Sequence, residues 1–287
     1  MRISHRDIEL EAELFGDTGE PLVLVMGIGA QLVHWPVGFC EALVQAGFQV
    51  LRFDNRDAGL STWLEGVRAP DLRQAILRRV AGLPVDAPYT LSDMADDTLA
   101  LLDHFGWERA HIVGASMGGM IAQEFALQHQ DRWASLTSIM STTGARRHSV
   151  ARPSALRALM APASTSAEEA EERSVQLMSA VGGSLPRDEA ELRRMARLAF
   201  ERGSNPAGFL RQFAAILASG DRGGRLQQLR GRPALVIHGL QDPLIPPSGG
   251  RATAAALGCP FLGIEGMGHD LPRASWPRMI EAISTLR

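Results

Sequence analysis

The stretch Val113-Gly114-Ala115-Ser116-Met117-Gly118-Gly119-Met120, VGASMGGM, decides how the chain is read. Gly114 to Gly118 match the pattern G-x-S-x-G. With 29 glycines and 19 serines among 287 residues, chance alone produces roughly 0.2 such matches per chain, so the pattern takes its meaning from its surroundings. Before it, RAHIVGAS (Arg109 to Ser116) has the apolar character of a buried strand. After it, Met117 to His129 has helical period, with Ile121, Phe125 and Ala126 on the apolar side. Ser116 therefore falls at a strand-to-helix corner, where a tight turn projects the hydroxyl and side chains two residues before and after would clash. Gly114 and Gly118 meet that requirement, and the helix start turns free backbone N–H groups and its positive dipole end toward the serine.

Similar strands recur along the chain. PLVLVMG (Pro21 to Gly27), QVLRFDN (Gln49 to Asn55), LTSIMST (Leu136 to Thr142), PALVIHGL (Pro233 to Leu240) and PFLGIEGMG (Pro260 to Gly268) are apolar almost throughout, the mark of strands covered on both faces. They alternate with helical segments, which predicts an α/β fold with a parallel sheet. One such helix is TLSDMADDTLALLDHFG, with Ser92 as a candidate cap and Gly106 as its end. The alternating opening segment, Arg2 to Phe15, predicts a hairpin at the sheet edge. From Gly144 to Gly220 the composition shifts to Ala, Glu, Arg, Met and Leu with no strand. Ser166-Ala167-Glu168-Glu169 has a capping-box pattern, and Asn205-Pro206 reads as a cap followed by a first-turn proline. This is a helical insertion, so the chain divides into a first core part (1–143), the insertion (144–220) and a second core part (221–287). Met160, Met178, Met195, Phe200, Phe209 and Phe213 in the insertion either line a pocket or pack it onto the sheet.

Bulk properties limit the alternatives. An apolar fraction of 45% is ample for a core. A net charge of -3 supplies no general pull toward nucleic acid or an anionic membrane. The N-terminus lacks a signal-peptide apolar core and no stretch is long enough for membrane insertion, so a cytoplasmic protein is expected. Cys40 and Cys259 have neither metal spacing nor sequence proximity and are expected to be reduced, structural thiols.

A serine hydroxyl near neutral pH needs a base, and the base needs an orienting acid. In the chain order serine, acid, histidine, the loops after the last two strands offer Asp242 in HGLQDPLIPP and His269 in EGMGHDLP. His238 at a strand end is a competing histidine and Asp270 a competing carboxylate; Asp270 adjoins His269 in sequence, a poor geometry for pairing. LTSIMSTTGARR contains no acid, which favours Asp242. An oxyanion formed at Ser116 needs fixed donors, each worth roughly 3 kcal/mol. The backbone N–H of Met117 is one candidate, and that of Ile28 in Gly27-Ile28-Gly29 is the other. Asp54, Arg56 and Asp57 in FDNRDAG are expected to tie down a neighbouring loop by charge and hydrogen bonds.

Ser116 in GASMGG, Asp242 in HGLQDPLIP, His269 in GMGHDLP, the glycine loop VMGIGAQ and the segment RFDNRDAGLST together resemble the α/β-hydrolase superfamily over essentially the whole chain. VMGIGAQLVHWP, RFDNRDAGLST and GMGHDLP are most similar to its methylesterase and carboxylesterase group, which includes aclacinomycin methylesterase. The resemblance implies a mostly parallel eight-stranded sheet flanked by helices, with a helical cap over the site. It implies a serine hydrolase that needs no cofactor or metal and cleaves a small-molecule carboxylic ester through an acyl-enzyme. Lactonases, carbon-carbon bond hydrolases and perhydrolases share the triad, and a non-catalytic receptor shares the fold, so these stay open, as does a homo-oligomeric state. One departure is that Met26-Gly27 stands where many members have His-Gly, which removes a histidine-supported loop geometry.

Overall fold

The computed structural model describes all 287 residues. Eight strands form one sheet: β1 (Arg2–His5), β2 (Ile8–Phe15), β3 (Glu20–Val25), β4 (Phe48–Phe53), β5 (Ala110–Ala115), β6 (Trp133–Ile139), β7 (Ala234–Gly239) and β8 (Phe261–Ile264). Their spatial order is β1-β2-β4-β3-β5-β6-β7-β8. The β1–β2 hairpin is antiparallel at one edge, and from β4 to β8 every neighbouring pair is parallel. The fold is thus the expected α/β architecture.

Period-two alternation explains why the central strands look apolar throughout. Val23, Val25, Leu51, Phe53, Ile112, Leu136 and Val236 face one core layer. Leu22, Leu24, Val50, Val113, Ala115, Leu235 and Ile237 face the other. Of the flanking helices, α1 (Val37–Gln45), α2 (Leu72–Val80), α3 (Leu91–His104) and α4 (Met117–Gln128) come before β6. Between β6 and β7 lie α5 (Pro153–Leu159), α6 (Ala167–Val181), α7 (Glu189–Arg202), α8 (Pro206–Ser219) and the single turn α9 (Gly223–Leu226). Finally α10 (Pro247–Leu257) and α11 (Trp276–Ser284) follow β7 and β8. Met94 of α3, Ile121 and Phe125 of α4 and Leu257 of α10 cover the first layer, while Phe39 and Leu43 of α1 and Met279 and Ile283 of α11 cover the second. No helix is long and apolar enough to cross a membrane.

Some local boundaries differ from the sequence reading. The cap of α3 is Thr90, not Ser92: Thr90 Oγ1 accepts the Asp93 N–H, and the Asp93 carboxylate accepts the Thr90 N–H at 2.7 Å, a complete capping box two residues earlier. At α6, Ser166 caps Glu169, but the Glu169 carboxylate reaches the N–H of Thr165 instead of closing on Ser166. Asn205 does cap α8, its Oδ1 accepting from Gly208 N–H at 2.9 Å. Strand β6 starts earlier and ends at Ile139, because Met140 takes a left-handed φ of 40°. Strand β8 stops at Ile264, since the chain turns at Gly266 with φ 73°. Cys40 is buried and Cys259 partly buried, both unpaired, and burial pushes their thiols up to about 12 and about 11.

Thr90→Ala is expected to cost about 1 kcal/mol in urea unfolding, and Ser92→Ala only a few tenths. Equal losses in the two variants would contradict the assignment of the cap.

Candidate active site

The corner after β5 carries an unusual backbone. Ser116 has φ 56° and ψ -118°, a conformation that costs a non-glycine residue on the order of 1–3 kcal/mol. Hydrogen bonds on both sides hold it there. Its N–H donates to the Ile139 carbonyl at 2.9 Å, and its carbonyl accepts from Gly119 N–H at 3.0 Å and from Ser141 Oγ at 2.7 Å. A Cβ on Gly114 would overlap the Gly118 carbonyl, and one on Gly118 would overlap the Val25 carbonyl of β3. Gly119 is a third requirement that the five-residue pattern did not include: its Cβ would lie 2.6 Å from Ser141 Cβ.

The loops after β7 and β8 bring two side chains to this serine. His269 Nε2 lies 2.9 Å from Ser116 Oγ, and His269 Nδ1 lies 2.7 Å from Asp242 Oδ2. A carboxylate only accepts, so Nδ1 carries the proton and Nε2 is left as the acceptor for the serine O–H. Asp242 is itself fixed, its Oδ1 accepting from the N–H groups of Leu244 at 2.8 Å and Ile245 at 2.9 Å. Burial alone would raise its pKa. The charge of an imidazolium at His269, together with hydrogen bonds from His238 and His269, outweighs burial and brings the carboxyl down to about 2.

The competing residues lie elsewhere in the network. His238 is fully buried, donates from Nε2 to the Ile245 carbonyl at 2.9 Å and flanks Asp242 Oδ2 at 3.4 Å. Asp270 turns back to accept the Gly268 N–H at 3.0 Å, and burial raises its carboxyl. The N–H of His269 donates to the Val181 carbonyl at the end of α6, so the histidine backbone is tied to the segment between β6 and β7.

The turn after β3 borders the same hydroxyl, since a Cβ on Gly27 would stand 3.7 Å from Ser116 Oγ. Its Ala30 N–H closes on the Gly27 carbonyl at 3.3 Å, and its Gly29 N–H donates to Gln212 Oε1 at 2.8 Å. The N–H groups of Ile28 and Met117 have no protein acceptor. Behind this turn lies the loop after β4. Asp54 accepts from the N–H groups of Leu32 at 2.6 Å and Leu60 at 2.9 Å and pairs with Arg202. Arg56 grips Asp97 with two bonds, at 2.6 and 2.7 Å. Asp57 does the same with Arg211, at 2.8 and 2.7 Å, and also accepts from Tyr89 Oη. Of the insertion's aromatic and methionine side chains, Phe209 packs on the turn at Gly29, and Met160 is exposed. Arg202, Arg211 and Gln212 carry no motif, and only helical periodicity marked their segment in sequence.

Asp242 supplies an acid-range stability term. Its folded value lies below the ordinary 3.8, so the unfolded chain binds the proton more readily and stability falls as pH drops from about 4 toward about 2. Asp242→Asn is expected to remove on the order of 1 kcal/mol of that pH-dependent change, read as the difference between wild-type and variant urea unfolding at pH 5 and pH 3. Parallel curves for the two proteins would show that Asp242 is not depressed.

A family model described as alpha/beta hydrolase fold matches residues 20–271. Rhodomycin D methylesterase of Streptomyces peucetius is 29% identical over 98% of this chain and 95% of its own length. Among solved structures, the enol-lactonase from Burkholderia xenovorans LB400 superposes with a TM-score of 0.71 at 22% identity, covering 100% of this chain and 99% of that one. The meta-cleavage product hydrolase of Pseudomonas fluorescens IP01 gives 0.74 at 20% identity, covering 100% and 96%. At such identities these two likenesses speak for the fold alone. With the family model spanning the chain from β3 to the loop after β8, the protein belongs to the alpha/beta hydrolase fold family.

Proposed function

We propose that the protein is a serine hydrolase of carboxylic esters, of the carboxylesterase or methylesterase type, working through an acyl-enzyme. The observation that carries this reading is the continuous relay from Ser116 Oγ through the His269 ring to Asp242. In the reaction Ser116 Oγ attacks the acyl carbon while its proton passes to His269 Nε2. The tetrahedral oxyanion takes the Ile28 and Met117 N–H groups, which have no other acceptor. Collapse breaks the bond to the alkoxy oxygen, which leaves as the alcohol with the proton from His269. Water then repeats the sequence on the acyl-enzyme, giving its proton to His269 and releasing the acid and Ser116. Asp242 holds the ring and stabilises its charged form throughout. The full-length similarity to a methylesterase supports an ester as the bond cleaved.

Residues 144–220 are proposed as a cap that selects the small-molecule substrate. Contacts of its helices with the site loops support this role, from Val181 to His269, Arg202 to Asp54 and Phe209 to Gly29.

Ser116→Ala is expected to lower p-nitrophenyl ester hydrolysis by at least roughly 10³-fold while leaving the urea midpoint within experimental error. Wild-type protein is expected to take up one fluorophosphonate per chain at Ser116. Hydrolysis retained in Ser116→Ala, or no labelling of wild type, would overturn the reading, the latter in favour of a binding protein. Lactones and ring-cleavage dienones assayed beside the esters decide the bond type, and a larger kcat/KM for either would displace the ester.

A further inference from the structure

We propose that Gln212 of α8 is a positioning residue for the oxyanion-binding turn, supplying from the segment between β6 and β7 the brace on the Gly29 N–H, between the flanking bonds that Asn55 makes to the Met26 carbonyl and Asp54 to the Leu32 N–H; this rests on the ester-hydrolase reading above. The turn from Gly27 to Ala30 has little internal support. Its closing bond is long, at 3.3 Å, Gly29 occupies a left-handed φ of 64°, and Met26 offers no hydrogen-bonding side chain beside it. The only polar side chain bonded to the turn's central N–H comes from 183 residues further along.

Gln212 is fully buried, and both ends of its carboxamide are used. Oε1 accepts the Gly29 N–H at 2.8 Å, and Nε2 donates to the Arg56 carbonyl at 2.8 Å. Arg56 is immobile in turn, through its double contact with Asp97 and a bond to the Asp93 carbonyl at 3.1 Å. The amide is therefore a rigid spacer between a fixed point on the loop after β4 and the turn after β3. Gln31, at the far end of the same loop, donates to the Ala199 and Gly203 carbonyls at 2.7 and 2.8 Å, so α7 and α8 hold both ends. Because Gly29 N–H is engaged by Gln212, it is not a donor to substrate; Ile28 N–H, next to it, is free. A shift of the turn by a fraction of an ångström would leave substrate binding nearly intact but misalign Ile28 N–H with an oxyanion that exists only in the transition state.

The side chain must accept at one end and donate at the other. Leucine does neither and strands a buried donor and a buried acceptor. An ionised glutamate accepts from Gly29 but faces the Arg56 carbonyl with lone pairs, whereas a protonated glutamate reproduces both bonds. In Gln212→Leu, kcat for a p-nitrophenyl ester is expected to fall roughly 10- to 100-fold with KM within about twofold, and affinity for a trifluoromethyl ketone, which forms the tetrahedral oxyanion, to fall by a similar factor. In Gln212→Glu, the ratio of its kcat to that of wild type is expected to rise as pH is lowered. Taking the ratio cancels every pH dependence common to both proteins, and a merely structural role would not produce the rise. With wild type active and labelled at Ser116, an unchanged kcat in Gln212→Leu overturns the proposal. If the leucine variant does not fold, a flat pH ratio for Gln212→Glu does so. Wild type that neither hydrolyses esters nor labels overturns the ester reading and this proposal together, a result distinct from the other two.

Discussion

The left-handed backbone of Ser116 is the constraint on which the rest of the arrangement depends. A residue with a side chain does not adopt φ 56° without compensation, and here the compensation comes from three directions. The neighbouring strand β6 accepts the serine N–H through Ile139, Ser141 donates to its carbonyl, and α4 starts at once with two further N–H groups on that same carbonyl. None of these fits unless Gly114, Gly118 and Gly119 let β5, α4, β3 and Ser141 approach at backbone distance. The same geometry lifts the hydroxyl out of the chain and leaves the first N–H of α4 without an acceptor. Strain, glycine placement and an unpaired donor at Met117 are one feature viewed from different atoms.

Around this corner the charges are buried in pairs. Arg56 meets Asp97, Asp57 meets Arg211, and Asp54 meets Arg202 together with two backbone N–H groups. Leaving any of these charges alone at such depth would cost several kcal/mol, so they are useful less for net stability than for the geometry they enforce. Two of the arginines belong to α7 and α8 and lie 148 and 154 residues beyond their partners. Those helices are tied to the loops around the site by buried ion pairs, and the end of α6 is tied there by the Val181 contact to the His269 backbone.

Much of this was legible in the residues. The strands announced themselves because a parallel sheet covered on both faces leaves no polar alternation, and the hairpin did so because it has one exposed face. Ser116, Asp242 and His269 could be picked out because each follows a strand end in the order that the elbow geometry requires. That chain order alone favoured His269 over His238, since only His269 follows Asp242. The fold adds the placement: His238 lies within β7 with its ring beside Asp242, whereas His269, in the loop after β8, reaches Ser116. The α3 cap was misread by two residues for a local reason: Ser92 and Thr90 are both competent caps, and the reciprocal bond with Asp93 selects Thr90.

What the sequence by itself determined is whatever depends on neighbours along the chain: strand and helix periods, the glycines around Ser116, the chemistry available at Asp242 and His269, and the helical character of 144–220. What only the tertiary structure decided is every contact whose two ends are far apart in the chain. Gln212 is an unremarked glutamine in an Ala- and Phe-rich helix until the fold sets its amide between Gly29 and Arg56. Arg202 and Arg211 look like surface charges until they meet Asp54 and Asp57. The physical reason is that periodicity and turn chemistry are written in spacing, whereas a hydrogen bond across 183 residues leaves no pattern in spacing and comes into being only when the two helices and two loops are packed.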